Sequence, residues 1–136
     1  MKTYTKFLNV ILVFTTLIPL TLGVLCLFDP PGALEFFGLK SLNSDSKKIL
    51  IVLGGFVLAS TILPILAVLW LIKGNAEGFT LAYLVGFIGV IRGLLMLLDF
   101  NSNNISGATL AATPIVIGLV ILLLTYFASR QHTQHV

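Results

Sequence analysis

Apolar residues fall into four long runs that are separated by short polar segments. A helix that crosses the hydrocarbon core of a bilayer needs about 20 mostly apolar residues, and each run meets this length. Arg92 is the only charged residue inside the runs. The pattern therefore predicts an all-α integral membrane protein built as a four-helix bundle. The predicted spans are Phe7 to Phe28, Ile49 to Ile72, Phe79 to Leu98 and Ile105 to Ala128.

The connections between the runs constrain the topology. Only residues 73–78 separate the second run from the third, and so short a link predicts an antiparallel hairpin. An even number of spans puts both termini on one side of the membrane. The terminal side carries Lys2, Lys6, Lys73 and Arg130, and the opposite side carries Lys40, Lys47 and Lys48. This excess of basic residues favours cytoplasmic termini.

The longest connection, residues 29–48, contains a segment that we expect to form a short helix. Asp29 can cap a turn that begins at Pro30, and Gly38 can end it. Apolar side chains dominate the residues between them. A short helix of this composition is expected to lie at the membrane interface.

Composition supports the membrane assignment and excludes several functions. Charged residues make up 10% and apolar residues 57% of the chain, whereas a soluble domain has about a quarter and just under half. Most of the surface must therefore face lipid. Lys47 and Lys48 form the only basic pair, so a nucleic-acid partner is not expected. The single cysteine, Cys26, excludes an internal disulfide. Residues 1–136 are expected to form one four-helix transmembrane domain.

Arg92 is the most informative residue for function. A charge inside a span costs about 2.5–3.5 kcal/mol on insertion scales, and such residues usually face the bundle interior or a wet cavity. The predicted topology brings Asp29, Glu35 and Asp99 to the end of the bundle nearest Arg92. We therefore predict that Arg92 points into the bundle and forms a polar or ligand-binding pocket with these three acids. The alternative is a structural anchor that pairs with a carboxylate or extends to the interface.

Small residues and prolines shape the predicted spans. Ala82, Gly86, Gly89 and Gly93 lie within a narrow arc of the third span, which is typical of a seam between closely packed helices. Three spans contain a proline near mid-depth, at positions 19, 64 and 114. Each proline leaves the carbonyl four residues earlier without its helical donor, and nearby hydroxyls can help satisfy that backbone. The bends are either simple kinks or the walls of a cleft for a lipid-soluble ligand.

The chain offers few groups for catalysis. It contains no Ser-His-Asp set, no glycine-rich phosphate loop and no cluster of metal ligands. No catalytic or metal-binding residue is predicted, and the sequence identifies no cofactor. A non-enzymatic role is therefore favoured over an enzymatic one.

Short motifs along most of the chain resemble those of small four-helix membrane proteins in the broad DoxX-like group. The motifs are residues 27–30 at the end of the first span, residues 32–38, the pair Gly54–Gly55, and Arg92 with Asp99 beyond it. The resemblance implies a four-helix bundle with several passes through a bacterial inner membrane. Some members of that group are subunits of quinone-linked oxidoreductases, and others are accessory proteins in redox stress.

Three functions remain open at this stage. The first is an accessory protein that binds a membrane or soluble protein partner, favoured by the short loops. The second is a binder or carrier of a small amphiphile, a quinone or lipid, in a pocket near Arg92. The third is a subunit of a membrane oxidoreductase, which rests on the resemblance alone. In every case the lipid bilayer is the expected surrounding.

Overall fold

The computed structural model of the chain describes the backbone of residues 3–36, 44–98 and 105–133. These residues form helices and contain no strand, so the predicted all-α class is confirmed for them. The helices are α1 (Thr3–Phe28), α2 (Pro30–Phe36), α3 (Ser44–Ser60), α4 (Ile62–Ile72), α5 (Glu77–Leu98) and α6 (Ile105–Thr133).

Four helical segments are long and apolar enough to cross a membrane. They are Thr3–Phe28, Lys47–Ile72, Glu77–Leu95 and Ala112–Thr133, and the second combines α3 with α4. Only 22–28% of the residues in the apolar windows of these segments are buried within the protein. Most of the apolar surface is therefore exposed on the isolated chain, as expected for a multi-pass membrane protein.

The second span is broken at Thr61, three residues before Pro64. Because proline has no N–H, it cannot donate to the Ser60 carbonyl. Within the break, the Thr61 N–H donates to the Leu58 carbonyl, three residues earlier, at 3.0 Å, and the Thr61 hydroxyl donates to the same oxygen at 2.7 Å. The helix is therefore interrupted for one residue between α3 and α4.

The other two proline positions leave their helices continuous. Pro19 lies inside α1 and Pro114 inside α6. Near Pro19, the hydroxyls of Thr15 and Thr16 donate to the Leu12 carbonyl at 2.9 and 2.6 Å. Pro19 leaves the Thr15 carbonyl without its helical donor, whereas the two hydroxyls bond to a carbonyl about one turn earlier. Hydroxyl bonding of this kind tends to bend a helix.

Four helices pack as a ring in which α1, α4, α5 and α6 each contact the next, and α6 contacts α1. Buried apolar side chains from all four fill the centre, and we call this cluster the terminal core. Tyr4 stacks on Phe127 beside it, with ring centroids 5.8 Å apart, so the start of α1 lies next to the end of α6. The terminal core comprises Leu8, Leu12, Ala67, Leu71, Phe79, Ala82, Ile121 and Ala128.

A second, smaller cluster lies at the other end of α1, and we call it the distal core. It consists of Cys26, Ala33 and Leu50, with Leu25 packed against it. It joins α1, α2 and α3 and contains no residue of α5 or α6 among those described. The described residues therefore form two packing regions, a four-helix terminal core and a distal core to which α1, α2 and α3 contribute.

Glycines form two close helix–helix seams. In the α1–α3 seam, a β-carbon added at Gly54 would lie 2.8 Å from the β-carbon of Cys26. In the α5–α6 seam, one added at Gly118 would lie 2.7 Å from the Gly86 carbonyl oxygen, and one at Gly89 would lie 3.3 Å from the Pro114 carbonyl oxygen. The prediction that the small residues of α5 form a packing seam is confirmed, since α6 occupies that face.

Candidate functional site

Arg92 lies in the second half of α5 with its side chain exposed. The guanidinium is therefore at the surface of the helix assembly, whereas the sequence led us to expect it in the bundle interior. Gly78, Val85 and Arg92 follow one another at seven-residue spacing, which shifts the direction around a helix by only about 20° per step. They consequently lie on nearly the same side of α5.

That side of α5 is covered in its first half and open in its second. A β-carbon at Gly78 would lie 2.8 Å from the Leu71 backbone nitrogen of α4, and Val85 packs against the terminal core. Arg92 lies near the same side and is exposed. Among the residues described, α3 packs against α1 and makes no extensive contact with α5.

The second span, which combines α3 and α4, also has a side that is buried in one half and exposed in the other. Leu53, Ser60 and Ala67 are also seven residues apart, and Thr61 between the helices keeps right-handed helical dihedrals, with φ −77° and ψ −16°. The three side chains therefore share one side of the span. Ala67 is fully buried in the terminal core, whereas Leu53 is 46% exposed. The side that α4 buries in the terminal core is left open on α3.

An open groove of about 320 Å³ runs along this side of α3. Its walls are apolar except at Lys48, which lies nearest the start of the helix. On α5, exposed Ile88 and Leu95 lie one turn before and one turn after Arg92. We use the name α3–α5 cleft for the groove on α3 together with the exposed residues around Arg92 on α5; the groove itself is lined by residues of α3 alone. The residues lining the groove are Lys48, Ile49, Val52, Leu53 and Phe56.

Asp29 caps α2, as the sequence predicted. Its carboxylate oxygen Oδ1 accepts a hydrogen bond from the Gly32 N–H at 3.2 Å. Pro30 and Pro31 have no N–H, so Gly32 provides the first backbone donor of the helix. A β-carbon at Gly32 would clash with the Asp29 carboxylate. The absence of a side chain at Gly32 is therefore part of the cap.

The predicted pocket of Arg92 with three acids stays a prediction. Arg92 and Asp29 form no ion pair with each other, and both are within the part of the chain that the structure describes. Glu35 belongs to α2, but only its backbone is described. Asp99 lies outside the described residues. The exposed neighbours of Arg92 on its own helix are apolar, namely Ile88 and Leu95.

Sequence reasoning did not identify Lys48 or Phe56 as site residues. Both lie on a span with almost uniform hydrophobicity, so no periodic contrast marks the side that faces the cleft. A seven-residue stripe through Leu53, Ser60 and Ala67 is the one signal that connects the groove to the core. It becomes informative only when the burial of Ala67 is known.

Aromatic and basic side chains gather at the terminal end of the assembly. The Arg130 guanidinium lies over the Tyr126 ring, 4.8 Å from its centroid, within the range of cation–π attraction. The Phe79 and His132 rings meet edge to face at 5.7 Å. Aromatic rings with nearby cations are typical of the membrane–water interface.

The exposed surfaces of α3 and α5 each combine one cation with apolar side chains. The groove on α3 has Lys48 beside apolar walls, and α5 has Arg92 beside Ile88 and Leu95. Among the described residues, no group of three His, Cys, Asp or Glu side chains could hold a metal ion. Comparison of the chain with protein-family models, with curated proteins and with solved structures finds no match.

Proposed function

We propose that this protein is a multi-pass protein of a bacterial inner membrane, built from antiparallel helical hairpins with both termini in the cytoplasm and α2 at the interface. Four candidate spans support this arrangement. The stacking of Tyr4 on Phe127 supports termini on one side, as does the four-residue connection between α4 and α5 (residues 73–76). Membership of the DoxX-like group belongs to the same proposal and rests on the motif resemblance.

We further propose that the protein binds a small amphiphile, a lipid or a quinone, in the α3–α5 cleft. The observation that carries the proposal is the exposure of Arg92 near a side of α5 on which Gly78 is buried and Val85 packs against the terminal core. In a bilayer this position gives the cleft a lateral opening to lipid. A ligand can then enter from the membrane without crossing an aqueous phase.

The physical argument concerns the cost of the Arg92 charge in a membrane. A guanidinium within a span costs several kcal/mol unless polar groups surround it. The head group of an amphiphile supplies hydrogen-bond acceptors to its donors, and an acyl or prenyl chain contacts Ile88 and Leu95 on the same helix. Such a ligand satisfies the polar and the apolar parts of the cleft at once.

Native mass spectrometry of the purified protein tests this function. We expect a lipid or quinone to be retained by the natural protein and lost in Arg92→Gln. Lys73→Gln is the matched control, because Lys73 is an exposed cation at the end of α4 and far from the cleft. Retention that is equal in both variants, or absent from the natural protein, would show that Arg92 does not form a ligand site.

A second candidate is an accessory protein whose partner covers the same open sides of α3 and α5. The exposed apolar residues Val52, Phe56 and Leu95 favour it, because a partner helix can bury such a surface. A second protein that co-purifies at a fixed stoichiometry in mild detergent and shields these positions from solvent would favour this candidate over the amphiphile. A redox-active partner would point to the oxidoreductase-subunit role.

A further inference from the structure

We propose that the surface where the start of α1 meets the end of α6 binds an anionic phospholipid. The lipid phosphate contacts Arg130, and an acyl chain lies along the exposed side of α6. We call this surface the terminal lipid site, and it is built on Tyr4, Tyr126, Phe127 and Arg130. The α3–α5 cleft belongs to other helices, so the inference does not depend on an amphiphile bound there.

The side chains of the terminal lipid site form a continuous row across two helices. Tyr4 of α1 stacks on Phe127 of α6 with ring centroids 5.8 Å apart, and the Phe127 ring meets the Tyr126 ring edge to face at 5.6 Å. The Arg130 guanidinium lies over the Tyr126 ring, 4.8 Å from its centroid. Each side chain contacts the next, so the position of the cation is set by the rings before a ligand arrives.

Arg130 has hydrogen-bond donors to offer a ligand. A guanidinium carries five N–H donors and no acceptor, and its attraction to a ring face does not require a carboxylate. Among the described residues, no carboxylate forms an ion pair with Arg130. A phosphate accepts two parallel N–H bonds from one guanidinium, which a lysine ammonium cannot provide in the same geometry. A phosphate therefore matches the chemistry of this cation.

The charge at the terminal end of the bundle also favours an anion. Lys6, Lys73 and Arg130 are exposed there. Glu77 is the one acid at this end within the described part of the chain, and its carboxylate accepts a hydrogen bond from Asn75 at 3.4 Å. The negative surface potential of a leaflet that contains anionic lipids attracts basic residues near its surface. The lipid that best complements this end is consequently an anionic one.

The side of α6 that leads to Arg130 is apolar over the depth of one leaflet. Leu119, Leu123 and Phe127 are exposed, and they precede Arg130 at intervals of four, four and three residues, which keeps them on one side of the helix. The distance from Leu119 to Arg130 along the helix is about 16 Å at 1.5 Å per residue. Half of the hydrocarbon core is about 15 Å. A lipid with its phosphate at Arg130 therefore places an acyl chain along this side.

Lys73 provides a matched comparison within the same protein. It is an exposed cation at the end of α4, so it lies at the same end of the bundle as Arg130. No aromatic ring of the described residues lies over it. If the terminal end attracts anionic lipids only through its general positive charge, the two cations contribute equally. If Arg130 belongs to a site, its removal has the larger effect.

Native mass spectrometry of the full chain in detergent tests the site. Equal amounts of phosphatidylglycerol and phosphatidylcholine with the same acyl chains are added, and the ratio of the two bound lipids is measured. We expect the natural protein to prefer phosphatidylglycerol and Arg130→Gln to lower the ratio about tenfold, the scale of a lost charge-assisted hydrogen bond. Lys73→Gln should leave the ratio nearly unchanged. Equal losses in the two variants, or no preference in the natural protein, overturn the site.

Two further measurements test the row of rings and the identity of the ligand. Tyr126→Leu leaves every charge in place and should lower the ratio about two- to fivefold, the scale of an exposed cation–π contact. Tyr126 and Arg130 are both exposed, so neither variant should disturb the fold. An unchanged ratio in Tyr126→Leu shows that Arg130 acts as a free charge and overturns the site. Excess inorganic phosphate should not displace the lipid, because it has no chain to cover α6. Displacement overturns a phospholipid as the ligand.

Discussion

The α5–α6 seam predicts a large difference between two glycines of the same protein. An alanine β-carbon at Gly118 would lie 2.7 Å from the Gly86 carbonyl oxygen and 2.9 Å from the Val90 nitrogen. Ordinary contacts begin at 3.4 Å, so the two backbones must separate by about 0.7 Å, the difference between 3.4 and 2.7 Å. At Gly55 an added β-carbon meets no atom within 4 Å. Gly55→Ala is therefore the matched control.

The expected magnitudes follow from two opposing effects. Alanine is better than glycine in a helix by about 0.8–1.0 kcal/mol, and this gain applies at both positions. Overpacking costs about 1–3 kcal/mol, and it applies only at Gly118. Gly118→Ala should thus be less stable than Gly55→Ala by about 1–3 kcal/mol, while Gly55→Ala should match or exceed the natural protein.

Unfolding in mixed micelles, followed by helical circular dichroism as the denaturing detergent is increased, measures this difference. The comparison is between two variants of one substitution type, so the propensity gain cancels. Equal free energies of unfolding for the two variants would refute the close approach of α5 and α6.

Three further predictions test other parts of the structure. Asp29→Ala should weaken the α2 cap by about 0.5–2 kcal/mol and speed hydrogen exchange at the Gly32 amide, whereas Asp29→Asn should largely preserve the cap. Equal exchange rates at the Gly32 amide in the two variants would contradict the cap. Gly74→Ala should destabilise by about 1–2 kcal/mol, because Gly74 has φ of +74° and a side chain disfavours that conformation; thermal unfolding measures it, and an unchanged melting temperature would count against the turn. With cytoplasmic termini, a cysteine introduced at Lys2 should resist impermeant reagents in intact cells while one at Asn103 reacts, and the reverse pattern would invert the topology.

The features that the sequence predicted correctly depend on local chemistry. Span length follows from the length of each apolar run, and all four runs are helical in the described residues. The cap at Asp29 follows from two prolines that lack donors and a glycine that supplies one. Each of these conclusions needs only a few neighbouring residues.

The exposure of Arg92 could not be predicted in the same way. Periodicity fixes the direction of a side chain around its own helix but not which helix stands opposite. The expectation that Arg92 points into the bundle rested on the cost of its charge in a membrane, on the small-residue seam beside it and on the three acids expected at its end of the bundle. None of these says which helices pack together; the fit of Gly23 to Gly54, which holds α3 against α1, joins residues far apart in the chain. Such a fit between distant residues is a tertiary property, and a uniformly apolar span gives little indication of it.

The burial of Cys26 makes the protein carry its own chemical reporter. Cys26 is 2% exposed, and its β-carbon would lie 2.8 Å from a β-carbon at Gly54, in the α1–α3 seam. Separation of α3 from α1 uncovers the thiol. The rate at which a thiol reagent modifies the natural protein therefore measures local opening of this seam. A ligand that binds elsewhere without tightening the seam would leave that rate unchanged.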